Sequence, residues 1–177
     1  MCIRDRAKIA KLKFGKPGFQ GGRGKAVVLG MLERGGHVRA AVIESRIKKH
    51  IAPVIDANVQ DGSHVITDEH VIYQDLHQKH YHEVINHVEG YVREHIHTNG
   101  IENFWALLKR GLNGTYVNVE PFHLDAYVGE QVFRFNNRAT KDNPLDDADR
   151  FLLALSQVAN KRLTFKELTG KTATTQA

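Results

Sequence analysis

The order of strand-like and helix-like hydrophobic patterns constrains the fold of this chain more than any other feature. A β-hairpin is expected first, because two apolar stretches flank a turn at residues 33–36 that contains Gly35 and Gly36. Alternating strands and helices follow it. The expected strands are residues 26–31, 37–43, 64–67 and 81–87. This order predicts an α/β fold in which a mixed sheet is flanked by helices.

Helical periodicity is strongest from Thr98 to Leu112, where apolar side chains recur on one stripe. These side chains are Ile101, Phe104, Trp105, Leu108 and Leu112. A further helix from Ser45 contains Pro53, which should bend or shorten it. The remaining expected helices are residues 71–79, 121–136 and 149–160.

Composition bounds the partners and the compartment. The 177 residues carry a net charge of +5, which favours a polyanionic partner such as nucleic acid. No apolar run approaches the ~20 residues of a membrane span. The single cysteine, Cys2, rules out an internal disulfide framework. We therefore expect no membrane partner and a cytoplasmic location.

Three regions differ in composition. Residues 1–24 are basic and glycine-rich and predict a flexible N-terminal segment, in which residues 1–6 have the character of a foreign leader. Residues 25–138 hold the main strand and helix patterns and are expected to form the core domain. Residues 139–177 are expected to form a linker, a C-terminal helix and a tail.

Asp68 follows a short apolar strand pattern and is the first candidate for chemistry. Ligands of open α/β sheets bind at the carboxyl ends of the strands, and Mg²⁺ prefers hard oxygen ligands such as a carboxylate. The alternative is structural, because an aspartate at this place can cap the helix expected near His70. Position alone leaves both roles open.

Glu102 and Lys109 lie on the strongest helix and are the next candidates. Seven residues separate them, so they share nearly the same helix face. Structural alternatives exist for both. Glu102 can complete a capping box with Asn99, and Lys109 with Arg110 can compensate the helix C-terminus. A strand-end carboxylate followed by a helix carboxylate and a lysine is, however, the layout of an RNase H-like phosphoryl-transfer site.

These residues also carry a resemblance to a known family. The matching segments are Ile-Thr-Asp-Glu-His (66–70), His-Thr-Asn-Gly-Ile-Glu-Asn-Phe-Trp-Ala-Leu-Leu-Lys-Arg-Gly (97–111), Gly-Thr-Tyr (114–116), Phe-Arg-Phe-Asn-Asn-Arg (133–138) and the hairpin residues 28–31 and 33–36. Over residues 25–138 the chain resembles the ISXO-like branch of bacterial insertion-sequence transposases of the DDE class. The resemblance implies an RNase H-like catalytic core, two Mg²⁺ or Mn²⁺ ions, and cleavage and strand transfer at the ends of a mobile DNA element.

The resemblance also implies roles for individual residues. Asp68 is expected to be the second catalytic acid and Glu102 the third, both as metal ligands, with Lys109 beside them. Asn99 and Asn103 are alternatives for the third position. DNA is the expected partner, bound by a homodimer or larger assembly associated with the nucleoid. The expected DNA-binding residues are Lys109, Arg110, Asn99, Arg134 and Arg138.

The chain departs from the family pattern at the first acid. The family carries that acid on a central strand before the hairpin, and no matching segment precedes residue 25 here. Asp5 is the only acid before Glu33 and lies outside any strand pattern. We therefore expect a sheet that lacks its first, central strand and a chain that is catalytically inactive and marginally folded, unless residues 8–14 fill the gap poorly.

Two other hypotheses stay open beside the transposase. The first is a non-catalytic DNA-binding remnant of such an enzyme. The second is a histidine-rich metal-binding protein, for which His80 and His82 are the test residues, although zinc sites usually show tighter spacing. Phe104, Trp105 and Tyr116 could stack on bases, but core packing is the expected role.

Overall fold

A computed structural model of the chain describes residues 2–5, 26–68, 70–85, 99–116, 119–141 and 143–170. The chain divides into two compact units, Met1–Asn136 and Asn137–Ala177. The first unit is built on a five-stranded sheet with the order β3-β2-β1-β4-β5. Its strands are β1 Cys2–Asp5, β2 Val27–Leu32, β3 Val38–Ile43, β4 His64–Asp68 and β5 Tyr81–Ile85.

The centre of the sheet is occupied, so the expectation of a missing central strand is wrong. β1 pairs antiparallel with β2 and parallel with β4. It thereby gives both strands the backbone partner whose absence would leave buried amide and carbonyl groups unpaired. Every residue except proline offers the same backbone groups, so a segment with no strand-like side-chain pattern can fill this position. Residues 6–24, which belong to the expected flexible segment and include the alternative strand residues 8–14, lie outside the described residues.

The strands alternate in the direction of their side chains, and each face of the sheet has its own core. Leu29, Met31 and Val65 pack on one face against the helix α1, Lys48–Asn58. Val28, Val38 and Ile66 pack on the other face. That second face is covered by α2, Asn99–Arg110, and α3, Leu124–Asn136. The expected mixed sheet flanked by helices is confirmed.

The helices differ from the expected ones mainly in type and in their ends. α1 runs through Pro53 without a break and is confined to 11 residues. The segment Val71–Gln78 is a 3₁₀ helix rather than an α-helix. α2 continues directly into a π-helical turn, Gly111–Thr115, and α3 follows a short 3₁₀ turn at Pro121–His123.

The second unit contains two short helices, α4 Asp147–Ser156 and α5 Phe165–Leu168. Each begins with a capping box, formed by Asp146 with Asp149 and by Thr164 with Glu167. α5 had no counterpart among the expected elements. In the described part of the chain, no helix has the length and apolar character needed to cross a membrane.

Candidate catalytic site

Asp68 is the last residue of β4, and its side chain lies on the α2 side of the sheet. Alternate residues of a strand share a face, and Ile66 belongs to the core cluster formed with α2. The register pairs Asp68 with Ile85 of β5, which belongs to the same cluster. The carboxylate therefore projects at the carboxyl end of a parallel strand, on the face of the sheet that α2 covers.

The environment of Asp68 fits a cation ligand better than a helix cap. Its Oδ1 atom is buried and has no hydrogen-bond partner among the described residues. The next helix is capped instead by His70, whose side chain accepts a hydrogen bond from the backbone N–H of Ile72 at 3.4 Å. The capping alternative for Asp68 is therefore wrong. A buried carboxylate oxygen without a donor is costly, and a divalent cation would remove that cost.

Glu102 and Lys109 both lie at the border of the buried stripe of α2. The stripe itself consists of Ile101, Phe104, Trp105 and Leu108. At 100° per residue, Glu102 and Lys109 are about 20° apart and roughly 90° from the centre of this stripe. Both are accordingly half-buried. Asn99 is the first described residue of α2 and is itself helical, and Glu102 lies in the first turn of the helix as described.

The neighbours of α2 show which way this border points. Phe104 lies on the opposite border of the stripe, and its ring meets that of Phe135 in α3 at 5.5 Å between centroids. α3 in turn packs on β3, at one edge of the sheet. Glu102 and Lys109 therefore face away from α3, toward the side of the sheet where β4 and β5 lie.

Glu102 also lies near Asp68 along the strand direction. Gly30 of β2 is covered so closely by α2 that an added Cβ would lie 2.5 Å from Trp105. Gly30 pairs with Arg4 of β1, and continuing the β1–β4 register from its Cys2–Ile66 pair brings Arg4 beside Asp68. In the first turn, an added Cβ on Gly100 would lie 2.5 Å from Leu32, which pairs with Cys2 and is therefore level with Ile66. The first two turns of α2 thus span the last three residues of β4.

The register of β1 decides what stands next to Asp68. Position 4 lies on the α2 face, since it pairs with Gly30. Position 5 pairs with Leu29, which belongs to the core against α1, and so lies on the other face. The acid of this strand, Asp5, is therefore at a register position away from Asp68. Consistent with this, no group of three or more His, Cys, Asp or Glu side chains able to hold a metal occurs among the described residues.

The other candidates on α2 point elsewhere. Asn99, Asn103 and Arg110 are exposed on the side of the helix opposite the core. The structure therefore brings none of them to Asp68. Lys109 and Arg110 do not end a helix, because helical backbone continues as the π turn to Thr115.

Arg134 and Arg138 do not share a helix face. α3 ends at Asn136, so Arg138 lies beyond it. Arg134 forms an ion pair with Glu130, Nη2 to Oε1 at 2.8 Å. Glu130 also accepts a hydrogen bond from the Tyr116 hydroxyl, which raises the pKa of Tyr116, with burial adding to the shift. A phosphate contact by Arg134 would have to compete with this pair.

Among the aromatic and histidine candidates, Phe104, Trp105, His80 and His82 are buried or hydrogen-bonded within the fold. Phe104 and Trp105 are buried core residues, which confirms packing rather than base stacking. His82 is hydrogen-bonded to the Thr67 hydroxyl at 2.8 Å; burial, then the nearby His77 and His80, lower its pKa. His80 is buried. The described histidines do not form a metal site, and residues 86–98 lie outside the described part.

Two residues important for this arrangement were missed by the sequence analysis. Gly30 allows α2 to approach β2, a role that only the close contact with Trp105 reveals. Asn136 accepts a hydrogen bond from the backbone N–H of Val38 at 2.8 Å and donates one to its carbonyl at 2.9 Å. It thus joins the end of α3 to the edge strand β3. The family-like segment 133–138 contained this asparagine without indicating its partner.

A comparison with solved structures shows which fold the chain shares. The catalytic core domain of BIV integrase aligns with 88% of this chain and 94% of that chain, with a TM-score of 0.51 and 12% sequence identity. At this identity the likeness shows the fold, and the expected RNase H-like architecture is confirmed. No match was found among curated proteins.

The family follows from the sequence itself. A family model described as the ISXO2-like transposase domain matches residues 3–136. The chain belongs to this family, which confirms the resemblance inferred from the segments around Asp68 and Glu102. It is a transposase domain of the DDE class with the fold of an integrase core.

Proposed function

We propose that this domain belongs to a DNA transposase that cleaves and transfers strands at the ends of an insertion sequence, and that the site in this chain is incomplete. The observation that carries the proposal is the arrangement of Asp68 and Glu102, on one side of the sheet and near the carboxyl end of β4. The buried, unpartnered Oδ1 of Asp68 supports a cation there. Mg²⁺ or Mn²⁺ is the proposed cofactor, because both take carboxylate oxygens.

Each residue has a distinct proposed task. Asp68 and Glu102 would hold the cations, and Lys109, two helical turns from Glu102 on the same border, would hold a DNA phosphate in register. When bound, the two divalent ions supply activation of the attacking oxygen and stabilisation of the leaving oxygen. The hydrophobic cluster beneath α2 fixes both carboxylates on rigid elements. DNA is the proposed partner, and the remaining proposed contacts are Asn99, Arg110, Arg134 and Arg138.

A second function has a specific observation in its favour. The register gives β1 an arginine rather than an acid beside Asp68. Two carboxylates alone hold two cations poorly, because such ions need several converging oxygen ligands. A DNA-binding remnant without cleavage activity is therefore the alternative. In either case we propose a homodimer or larger assembly on DNA, in the bacterial cytoplasm.

Replacing Arg4 by aspartate tests the proposed site. Because position 4 lies beside Asp68, Arg4→Asp should add the third carboxylate and raise Mn²⁺ affinity by about tenfold or more. The variant should also gain Mn²⁺-dependent nicking of supercoiled plasmid DNA, and the unaltered chain should show none. Isothermal titration and a gel assay of plasmid topology measure the two effects.

The controls separate charge removal from ligand addition. Arg4→Asn removes the same positive charge without adding a ligand and should leave nicking absent. Asp5→Asn, on the other face of β1, should leave Mn²⁺ affinity unchanged. Adding Asp68→Asn to Arg4→Asp should abolish the gain. Strong nicking by the unaltered chain would contradict the incomplete site, and equal Mn²⁺ affinity in Arg4→Asp and Arg4→Asn would contradict the proposed geometry.

A further inference from the structure

Thr67 is a fully buried polar residue whose hydroxyl makes two hydrogen bonds, one of them to the backbone of Asp68. The hydroxyl donates to the Asp68 carbonyl oxygen at 2.9 Å, and its oxygen lies 2.8 Å from Nε2 of His82. A hydroxyl has one proton, and a carbonyl oxygen can only accept, so that proton lies toward Asp68. The Thr67 oxygen is therefore left as an acceptor for His82.

The chemistry of these groups fixes the direction of both hydrogen bonds. Because the Thr67 proton is engaged, Nε2 of His82 has to be the donor. Burial, with smaller contributions from the nearby His77 and His80, lowers the pKa of His82, so its ring carries a single proton at neutral pH. That proton therefore lies on Nε2, and the hydrogen bonds run from His82 through Thr67 to the Asp68 carbonyl.

Thr67 and His82 lie on the opposite face of the sheet from the proposed cation site. Val65 belongs to the core against α1, Thr67 follows it by two residues, and Val65 pairs with His82 in the register of β4 and β5. Alternation along a strand puts Thr67 and His82 on that face, whereas Asp68 lies on the face that α2 covers. Any influence of these two side chains on the cation site therefore passes through the backbone of Asp68.

Asp68 is the residue at which β4 ends, so its carbonyl decides how well its side chain is oriented. The peptide group is planar and turns as a unit. If the carbonyl were free to turn, the direction of the Cα–Cβ bond of Asp68 would vary with it. The Thr67 hydroxyl holds this carbonyl, and His82 holds the hydroxyl. Groups that orient a ligand in this way commonly raise the affinity of a metal site.

We propose that Thr67 and His82 are positioning residues, which hold the end of β4 so that the Asp68 carboxylate points in the direction that cation binding requires. The inference rests on the proposed function in taking Asp68 as a cation ligand. The hydrogen bonds themselves do not depend on that role, so they can be tested without metal.

The position of the proton on the His82 ring is the metal-free test. Long-range ¹H–¹⁵N NMR spectra of the full chain distinguish a proton on Nε2 from one on Nδ1. We expect the proton on Nε2 at neutral pH, and we expect the Nε2 signal to move in Thr67→Val, which removes the acceptor and keeps the shape of the side chain. A proton on Nδ1 in the unaltered chain, or an unchanged Nε2 signal in Thr67→Val, would overturn the proposal.

Paired variants separate the hydrogen bonds from packing. Thr67→Val lacks the hydroxyl, whereas Thr67→Ser keeps it and lacks only the methyl group. In metal-free buffer the carbonyl ¹³C signal of Asp68 should shift in Thr67→Val and keep its position in Thr67→Ser. The Mn²⁺ dissociation constant should rise about tenfold in Thr67→Val and less than about threefold in Thr67→Ser. At the other residue, His82→Gln keeps an N–H donor and should rescue the affinity that His82→Leu loses.

A purely structural role for these side chains predicts a different result. Both members of each pair would then weaken Mn²⁺ binding alike, so equal dissociation constants in Thr67→Val and Thr67→Ser, or in His82→Gln and His82→Leu, would overturn the proposal. Absence of Mn²⁺ binding by the unaltered chain would instead contradict the cation site and the task assigned to the pair. The metal-free ¹³C signal of Asp68 would still show whether Thr67 holds the backbone, so the two failures are distinguishable.

Discussion

Asp68 is a half-buried aspartate whose buried carboxylate oxygen makes no hydrogen bond to the described residues that would strengthen the fold. Its Oδ1 has no hydrogen-bond partner in the described part of the chain, and His70 caps the following helix. A carboxylate with a structural role would accept hydrogen bonds or cap the helix itself. Functional side chains often reduce stability in this way, because the protein holds them ready for a ligand.

This environment predicts the effect of Asp68→Asn on stability. Without divalent cations, the free energy of unfolding of the variant should equal that of the unaltered chain or exceed it by up to about 1 kcal/mol. The reason is that the partly buried side chain then carries no charge. Chemical denaturation in a metal-free buffer measures the change. Asp75→Asn is the contrasting control: Lys48 hydrogen-bonds to this exposed carboxylate and lowers its pKa, so that variant should be less stable. A clear loss of stability in Asp68→Asn would indicate a structural role.

The residues of the proposed site could be selected from the sequence only where an acidic side chain stands at a readable end of a strand or helix. Asp68 and Glu102 could be selected because a strand end and a helix start are readable from hydrophobic period. Asn99 and Asn103 could not be separated from Glu102 by spacing alone. The separation needs the orientation of α2, which its contacts with Phe135 and Gly30 determine.

Between elements, a single side chain links α3 to the edge of the sheet. Asn136 pairs with both backbone polar groups of Val38, as a neighbouring strand would. Unpaired groups on an edge strand invite pairing with other chains. The link also holds Phe135 against Phe104, and thereby keeps α2 in its orientation over the sheet.

Asn136→Ala should therefore destabilise the first unit. Losing both hydrogen bonds and leaving partly buried backbone groups without partners should lower the free energy of unfolding by about 1–3 kcal/mol. Asn103→Ala, on the exposed side of α2, should change it by less than about 0.5 kcal/mol. Urea denaturation followed by tryptophan fluorescence is a suitable measurement, because Trp105 lies in the affected core. Equal values for the two variants would contradict the role assigned to Asn136.

Element order was largely predictable, and element type less so. The hairpin, the β4 strand and α2 follow directly from their periods. The 3₁₀ character of Val71–Gln78 and the π turn after α2 depend on how these segments pack, which no local pattern contains. β1 was missed for a related reason. β1 pairs through backbone groups that every residue except proline carries. Its position therefore depends on the unpaired edges of β2 and β4 and not on its own side-chain pattern.

In the molecule as a whole, one side of one sheet carries the proposed chemistry. Alternation along β4 places Asp68 on that side, and helical period places Glu102 on the border of α2 that faces it. The fold is that of an integrase core, and the chain belongs to the transposase family. The proposed function therefore requires that the carboxylates of Asp68 and Glu102 lie near enough to each other to bind one cation.

Paramagnetic broadening of backbone amide NMR signals by Mn²⁺ tests this most directly, since it reports distance to a bound ion even when binding is weak. The signals of residues 66–68 and 101–103 should broaden together over one concentration range. Asp68→Asn should remove the broadening at both places, and Glu120→Gln, which alters an exposed acid before α3, should not. Broadening confined to one of the two segments, or persisting at Glu102 after Asp68→Asn, would contradict a shared site.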